Sequence, residues 1–597
     1  MLYTSLPPSQ PHIRVLILSP GTPDTPLTCS TTAIPLCSPP HSFYEALSYV
    51  WGSPLDPEHI TFNGQEGFPV TKNLFIALKY LRSTERERVL WVDALCINQQ
   101  DVAERNEQVR LMGDVYKNAS EVLIWLGEHE GEQEEKKHAE NAWGMLGRVE
   151  KISSEAKIEE VVTVTKEEEM VLFAFFFELM EKTWFKRLWT VQELVLATAD
   201  PWVGLEWKWV RWSMLWKVWD YVWTRRTEEM PGMSMQGADG ALLRPTNIKL
   251  GLLNNLRERV TATGGEDLKD ILNETHTSQV TEPRDRIFAL CGMLSPQDRR
   301  DITIDYQRSI AQVYAEAVAH LFKMGEGPRF LCGVLLAGPD CELEFPSWVP
   351  MFGSTPFMCG ITYFPPGIGV SGVGSAATNG SVDKDLKTLR VRAMRIDIVK
   401  DEIKFGVTRN DYMGKLDEVE ALVDKARELA EQFKEQRPYL YDFKSKEPLW
   451  RVLITNKKYS GATMVEAPQS YEEMYETLRQ RQKYGYSEEQ IEGGWNDPVR
   501  EYYQSLPNRL PSSSFFITET GFFGIGSKAL EKGDLLAIWF GAPAPFIMRP
   551  RLNSEEGDGE VIYSVVGVAY VAGIMKGEMV DEIFCEDLED DEVFIIR

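Results

Sequence analysis

The feature that most constrains the fold is a set of three short, almost uninterrupted apolar runs near the start of the chain. They lie at 46–50, 89–97 and 121–126. A strand that is covered by helices on both faces needs apolar side chains on both faces, so such runs are typical of a buried parallel sheet. Helical spacing of apolar residues at 72–82 indicates a crossover helix between two of them. We therefore predict that the three runs are neighbouring parallel strands of an α/β domain.

The start of a second crossover helix is marked by Asp101 and Glu104, which follow the second apolar run. An acidic side chain at the N-cap and a glutamate three residues later form a capping box, in which each side chain binds the other's backbone N–H. We predict this reciprocal arrangement here. A fourth apolar run, at 13–19, predicts one more strand of the sheet.

Segments rich in glycine, proline and charge divide the rest of the chain. The sequence predicts an α/β domain at 1–227 with a solvated, charged insertion at 128–169, a mainly helical region at 245–364, and a mixed α+β region at 381–597. From Ser514 onward, short apolar segments alternate with glycine turns, which predicts a small β-barrel or curled sheet. Five tryptophans recur at helical spacing and predict a helix face packed in the core rather than a ligand cage: Trp209, Trp212, Trp216, Trp219 and Trp223.

Charge and residue usage exclude several classes of function. The 64 basic and 90 acidic residues give a net charge of −26, which disfavours nucleic acid as a partner. The eight cysteines show no paired spacing and the seven histidines no ligand motif, so we expect no metal, no cofactor and a reducing compartment. The most apolar segment, 170–180, is about half as long as a bilayer span. We expect a cytoplasmic protein without a membrane span.

Three segments together resemble the fungal heterokaryon incompatibility (HET) domain. They are YEALSYVWG at 44–52, LWVDALCINQQDVAERNEQVRLMGDVYKNASEVLIWLG at 90–127 and RLWTVQELVLA at 187–197. Weaker resemblance to regions that often follow HET domains extends to 281–294, 346–350 and the glycine-rich C-terminal part. The resemblance implies a role in fungal non-self recognition and cell death. It also implies a TIR-like, flavodoxin-like parallel sheet with flanking helices.

Some TIR domains cleave NAD with a glutamate in a W-C-x-x-E pattern, and the resemblance carries this role to Glu193. Trp189 and Glu193 have the same spacing, although Thr190 stands at the cysteine position. A carboxylate can stabilise the oxocarbenium-like transition state that forms when the bond to nicotinamide breaks. NAD would then be a substrate rather than a cofactor. The alternative is that Glu193 and Arg187 form a structural ion pair on the surface.

The remaining candidate residues follow from where ligands bind in parallel sheets, which is beyond the carboxyl ends of the strands. One strand is followed by Tyr49, Trp51 and Gly52, and the next by Asn98 and Gln99. Trp51 and Trp189 are candidates for stacking on a base, Gly52 for close approach of a phosphate, and Arg187 for pairing with it. The two tryptophans are equally candidates for the core. Asp93 is either a buried hydrogen-bonding residue or a member of the site.

Two functional hypotheses follow. In the first, the α/β domain cleaves NAD or a related nucleotide after assembly. In the second, it is a non-catalytic module that assembles with other proteins or with itself. The hypotheses differ in one geometric expectation, since an enzyme requires Glu193 to open onto a cleft that also holds Trp51 and Asn98.

Overall fold

A nine-stranded sheet organises the first of two compact units, which cover Met1–Arg308 and Ser309–Arg597. The computed structural model describes residues 2–7, 10–36, 43–129, 140–146, 165–229, 249–334, 336–337, 345–352, 380–406, 408, 411, 413–435, 447–460, 463–486, 490, 497–506, 510, 513–552, 561–575 and 591–597. The strands of the first unit are β1 (His12–Leu18), β2 (Thr28–Pro35), β3 (Glu45–Tyr49), β4 (Glu58–Phe62), β5 (Gln65–Val70), β6 (Arg88–Trp91), β7 (Glu121–Trp125), β8 (Trp202–Leu205) and β9 (Lys208–Arg211).

The centre of this sheet is the predicted set of parallel strands. The strand order is β5-β4-β2-β1-β6-β3-β7-β8-β9, and β3 pairs in parallel with both β6 and β7. The prediction for the three apolar runs is therefore confirmed. The sheet as a whole is mixed, because β1 runs antiparallel to both β2 and β6 and the edge pairs β4–β5 and β8–β9 are antiparallel. The expectation of a wholly parallel sheet is wrong at these strands.

Helices lie between and after these strands. They are α1 (Lys72–Leu81), α2 (Asp93–Cys96), α3 (Val102–Asn118), α4 (Lys166–Glu181), α5 (Thr183–Lys186), α6 (Trp189–Val195), α7 (Trp212–Glu229), α8 (Lys249–Thr263), α9 (Leu268–Thr275), α10 (Asp285–Phe288) and α11 (Asp298–Asp301). The run 89–97 is thus only partly a strand. The chain leaves the sheet after Trp91, and α2 begins at Asp93. The Asp93 carboxylate accepts a hydrogen bond of 2.7 Å from the backbone N–H of Ala94.

The capping box predicted for α3 is half confirmed. Asp101 accepts hydrogen bonds from the backbone N–H groups of Ala103 and Glu104, as an N-cap residue does. The Glu104 carboxylate does not return to Asp101. It binds Arg14 of β1 and the backbone N–H of Asn98 instead. A distant cation thus replaces the local partner.

The charged insertion and the tryptophan series each differ from expectation in one part. Residues 130–139 and 147–164 of the insertion lie outside the described residues. The segment 140–146 is helical, and its Trp143, only 6% exposed, packs against the Phe175 ring of α4. The expectation that 128–169 is solvated is wrong there. Trp212 and Trp219 are buried on α7 as predicted, whereas Trp209 lies in β9.

Two glycines allow α3 to approach a 3₁₀ turn at Cys291–Met293 closely. A β-carbon on Gly292 would lie 3.0 Å from the Gly113 Cα of α3 and 2.6 Å from the Gln192 side-chain oxygen of α6. Backbone and a buried amide cannot move away easily, so we expect Gly292→Ala to lower the free energy of unfolding by about 1–3 kcal/mol.

The matched control for this prediction is Gly144→Ala in the helical segment 140–146, where a β-carbon would meet nothing within 4 Å. Alanine is the better helix former, so the control should be neutral or up to about 1 kcal/mol more stable. Urea unfolding followed by tryptophan fluorescence measures both variants. Equal midpoints would contradict the proposed close packing at Gly292.

The second unit contains another sheet that closes on itself. The strands of this unit are β10 (Gly380–Val382), β11 (Leu389–Lys404), β12 (Lys457–Ser460), β13 (Thr463–Glu466), β14 (Ser513–Thr518), β15 (Phe523–Ser527), β16 (Leu535–Trp539), β17 (Phe546–Leu552), β18 (Val561–Val568), β19 (Tyr570–Val571) and β20 (Asp591–Ile596). Of these, β12 and β13 form a separate two-stranded sheet. The path β16-β17-β18-β20-β11 returns to β16 because β11 pairs with both β20 and β16. This confirms the expectation of a curled sheet after Ser514, although β11 comes from much earlier in the chain.

Helices of the second unit are α12 (Ile310–Lys323), α13 (Gly327–Cys332), α14 (Leu416–Gln432), α15 (Leu449–Leu453), α16 (Tyr471–Lys483) and α17 (Val499–Ser505). Helices α8 to α13 fall within the region 245–364 that was predicted to be mainly helical, while its part at 353–364 lies outside the described residues. The predicted limits of the three regions stay predictions. Throughout the described parts of the chain, we find no helix that combines the length and apolarity needed to cross a membrane.

Candidate functional site

Glu193, the predicted catalytic residue, lies inside the first unit. It is on α6 and is 4% exposed. Its Oε2 accepts a hydrogen bond of 2.5 Å from the Ser48 hydroxyl of β3, and the same hydroxyl accepts one of 2.8 Å from Trp184 Nε1 of α5. Ser48 and Trp184 are themselves buried. The carboxyl group is therefore held by a short chain of hydrogen bonds that ties α5 and α6 to the central strand.

Burial controls the charge of this carboxyl group. Removal from water raises the pKa of Glu193 to about 8, and the nearby negative charge of Asp93 acts in the same direction. The hydrogen bond from Ser48 and the positive charge of Arg187 oppose this rise without cancelling it. At neutral pH, Glu193 is therefore mainly protonated and uncharged.

Arg187 binds the strand end rather than Glu193. Its Nη1 donates a hydrogen bond of 2.9 Å to the backbone carbonyl of Tyr49, the last residue of β3. The Tyr49 side chain is buried, and burial together with Asp93 raises the pKa of its phenol well above the ordinary value. The alternative in which Glu193 and Arg187 form a surface ion pair is wrong, because Glu193 is buried and Arg187 is engaged by a carbonyl.

Asp93 is hydrogen-bonded to two other predicted residues, Trp51 and Gln99, at the ends of β3 and β6. Its Oδ2 accepts a hydrogen bond of 2.8 Å from Trp51 Nε1, and its backbone carbonyl accepts one of 3.1 Å from Gln99 Nε2. Burial raises the pKa of the Asp93 carboxyl, while the hydrogen bond from Trp51 lowers it. Trp51 is 37% exposed, so its ring marks the solvent side of this cluster.

The other three candidates have separate roles. Asn98 donates its backbone N–H to Glu104 at 2.7 Å, ahead of α3. Gly52 has a φ of +80°, a conformation that glycine adopts without strain, and turns the chain after β3. Trp189 Nε1 donates to Asp285 Oδ2 at 2.8 Å. The Trp189 indole is thus bound to a different carboxylate from the one bound by Trp51.

Sequence reasoning missed the residues that complete these two clusters. Ser48 is a lone hydroxyl within an apolar run, which was the available signal for a buried hydrogen bond. Asp285 lies in the segment 281–294. Besides the bond from Trp189, its carboxylate accepts a hydrogen bond of 2.6 Å from the Tyr306 hydroxyl. The Arg105 guanidinium lies 4.3 Å from the centre of the Tyr306 ring. The segment after the α/β core therefore helps to hold α6 in place.

The expected cleft between Glu193, Trp51 and Asn98 is not open in this structure. Glu193 is nearly inaccessible, and it does not line the large cavity that begins two residues later at Val195 on the same helix. A substrate would reach the carboxyl group only after α6 or the strand end moved. The observed arrangement is that of a buried carboxyl group held by a hydrogen bond from Ser48.

Comparison with protein families assigns two parts of the chain. Residues 44–193 match the model of the family described as "Heterokaryon incompatibility protein (HET)". Residues 496–589 match the "Het-6 beta-barrel domain", and this match covers strands β14 to β19 of the curled sheet. The HET match ends at Glu193, so it includes the cluster around Asp93 and excludes Asp285.

One relative is similar along the whole chain. The "Heterokaryon incompatibility protein 6, OR allele" of Neurospora crassa is 26% identical over 687 aligned residues, which cover 98% of this chain and 97% of the relative. No solved structure matches the chain. The similarity thus includes both matched regions, 44–193 and 496–589, and the part of the chain between them.

Proposed function

We propose that this chain acts in fungal heterokaryon incompatibility, where it recognises non-self partners after cell fusion and triggers cell death in the cytoplasm. The single observation that carries the proposal is the similarity to the Neurospora crassa incompatibility protein, which extends through both domains and 98% of this chain. The test is fusion between two strains that differ only at this gene. Death of the fused cells is expected, and survival when the gene is deleted from one strain; death that persists after deletion would contradict the proposal.

Within this role, the geometry best supports an assembly module. The carboxyl of Glu193 is closed off, whereas large apolar side chains stand on the surface of the same unit. Trp207 is 67% exposed and its ring lies 4.2 Å from that of Tyr80, and Phe43 and Leu55 near the strand ends are also exposed. Exposed aromatic groups of this kind are enriched in protein interfaces. Other proteins, or further copies of this chain, are the proposed partners.

NAD cleavage is the second candidate. It is supported by the shifted pKa of Glu193, and it requires the carboxyl group to lose its proton once a path to it opens. Acids with strongly shifted pKa values cluster at functional sites. This one has a pKa of about 8, lies near Asp93 and Arg187, and binds Ser48 close to the carboxyl end of β3. In this proposal, β6, β3, β7 and β8 form a TIR-like core, and assembly opens a path to Glu193. Tyr49, Trp51, Gly52, Gln99 and Arg187 would bind the substrate.

Nicotinamide release separates the two mechanisms. The purified full chain is incubated with NAD at concentrations where it self-associates, and wild type is compared with Glu193→Gln. For an assembly module we expect no release above the uncatalysed rate, and the variant should still kill fused cells. Release by wild type that falls by about a hundredfold or more in the variant, together with lost killing, would overturn the module and establish catalysis.

A further inference from the structure

A large cavity lies in the first unit, separate from the cluster around Glu193. It is bounded by α3, α6, α7, α8 and the segment 292–300, and its volume is about 1110 Å³. Ligand-binding cavities in proteins commonly measure ~300–1000 Å³, so the space is sufficient for a small molecule of nucleotide size. None of the site residues predicted from the sequence lines it.

The cavity is basic although the chain is acidic. The whole sequence has 64 basic and 90 acidic residues, whereas five basic and three acidic side chains line the cavity. The basic ones are Lys117, Lys217, Arg257, Arg299 and Arg300. Asp200 accepts hydrogen bonds from the N–H and hydroxyl of Ser213, Glu258 accepts one from the Asn254 amide, and Asp114 lies 3.9 Å from Arg299. The lining still carries two more positive than negative side chains. The local charge therefore favours an anionic ligand.

Arg257 gives this charge a fixed position. Its Nη2 donates to the carbonyls of Ala197 and Ala199 at 2.9 and 3.0 Å, and its Nη1 donates to the Leu194 carbonyl at 3.4 Å. Carbonyl oxygens orient a guanidinium group but do not neutralise it, and no carboxylate of the described residues forms an ion pair with Arg257. Burial lowers the pKa of Arg257, and the negative charge of Asp200 opposes this effect. An anion in the cavity would bind the guanidinium group directly through charge-assisted hydrogen bonds.

The cavity also offers an aromatic wall and a charged entrance. Trp216 of α7 is half-buried and lines it, whereas Lys117 at the end of α3 and Arg300 are exposed. We propose that the cavity binds a phosphorylated molecule of the nucleotide class, with its phosphates on Arg257, Lys117 and Arg300 and its ring on Trp216. This site is distinct from the one proposed for NAD cleavage, because its residues and those around Glu193 do not overlap.

Calorimetric titration of the full chain with ADP, adenosine and inorganic pyrophosphate tests the proposal. We expect ADP to bind, adenosine to bind at least about tenfold more weakly, and the double variant Lys117→Gln/Arg300→Gln to weaken ADP by about tenfold or more. These two side chains are exposed, so the variant should fold normally. Trp216→Leu should weaken ADP more than pyrophosphate. Arg110→Gln on α3, an exposed charge away from the cavity, is the control and should bind ADP like wild type.

Three results would overturn the proposal. They are no ADP binding by wild type at millimolar concentration, adenosine binding as tightly as ADP, or unchanged ADP binding in the double variant with an unchanged unfolding midpoint. ADP binding that is lost in Glu193→Gln but unchanged in the double variant would assign the nucleotide to the cluster around Glu193 and not to this cavity.

Discussion

Glu104→Gln is expected to lower the free energy of unfolding of the N-terminal unit by about 3–5 kcal/mol, because it leaves a buried guanidinium without its counter-charge. The Arg14 side chain is 1% exposed and binds both carboxylate oxygens of Glu104, at 2.5 and 3.0 Å. It also donates to the carbonyls of Thr4 and Cys96. Glutamine preserves the shape and the acceptor for the Asn98 N–H. The loss therefore measures the removed charge together with the acceptor oxygen for Arg14 Nη2 that the amide nitrogen replaces. Urea unfolding followed by tryptophan fluorescence gives the value.

Two further variants make this prediction specific. Glu107→Gln also removes a glutamate that pairs with an arginine, but Glu107 and Arg110 are 47% and 63% exposed, so the cost should stay below about 1 kcal/mol. The double variant Arg14→Met/Glu104→Gln removes the stranded cation and should recover most of the loss. A single variant as stable as the Glu107→Gln control would show that water or a rearranged partner compensates Arg14.

The same pair shows which parts of the fold could be predicted from sequence. Continuous apolar runs indicate buried strands whatever their neighbours are, so β3, β6 and β7 were predictable together with their parallel pairing. Strand direction at β1 leaves no mark in apolar spacing, and its antiparallel pairing was missed. The capping box failed for a related reason. Its glutamate has a partner 90 residues away in sequence, and local spacing does not encode such a partner.

In the candidate site, too, some features follow from local residue spacing and others depend on tertiary packing. The structure brings Trp51, Asp93 and Gln99 together, because residues that leave neighbouring parallel strands at the same edge meet there. The burial of Glu193 was not predictable, since it depends on how α6 packs against Ser48. Trp189 is bound to Asp285, which follows 96 residues later, and spacing gives no sign of such a partner. Residue spacing identified the chemical groups, and tertiary packing determined their charge and access.

The buried position of Glu193 leads to a second large effect, on the pH dependence of stability. Its pKa rises from an ordinary 4.5 to about 8 on folding. Between these values the folded chain holds one proton more than the unfolded chain, so raising the pH favours unfolding. The loss of folding free energy that this causes is absent below about pH 4.5. It grows by up to about 1.4 kcal/mol per pH unit and is complete above about pH 8. Wild type should therefore lose stability as the pH rises through this window.

Glu193→Gln removes this dependence, because glutamine resembles the protonated acid at every pH and can still accept the hydrogen bond from Ser48. We expect the variant and wild type to be about equally stable near pH 5. At pH 8 the variant should be more stable by about 2 kcal/mol or more. Unfolding in urea at pH 5, 6, 7 and 8 measures the difference.

Asp93, whose pKa burial also raises, is present in both proteins, so its contribution largely cancels. Glu107→Gln controls for the loss of an exposed carboxylate. If the free energies of unfolding of wild type and Glu193→Gln change in parallel from pH 5 to pH 8, the carboxyl of Glu193 is ionised in the folded chain. Its surroundings must then admit water or a cation, which is the opening that NAD cleavage requires.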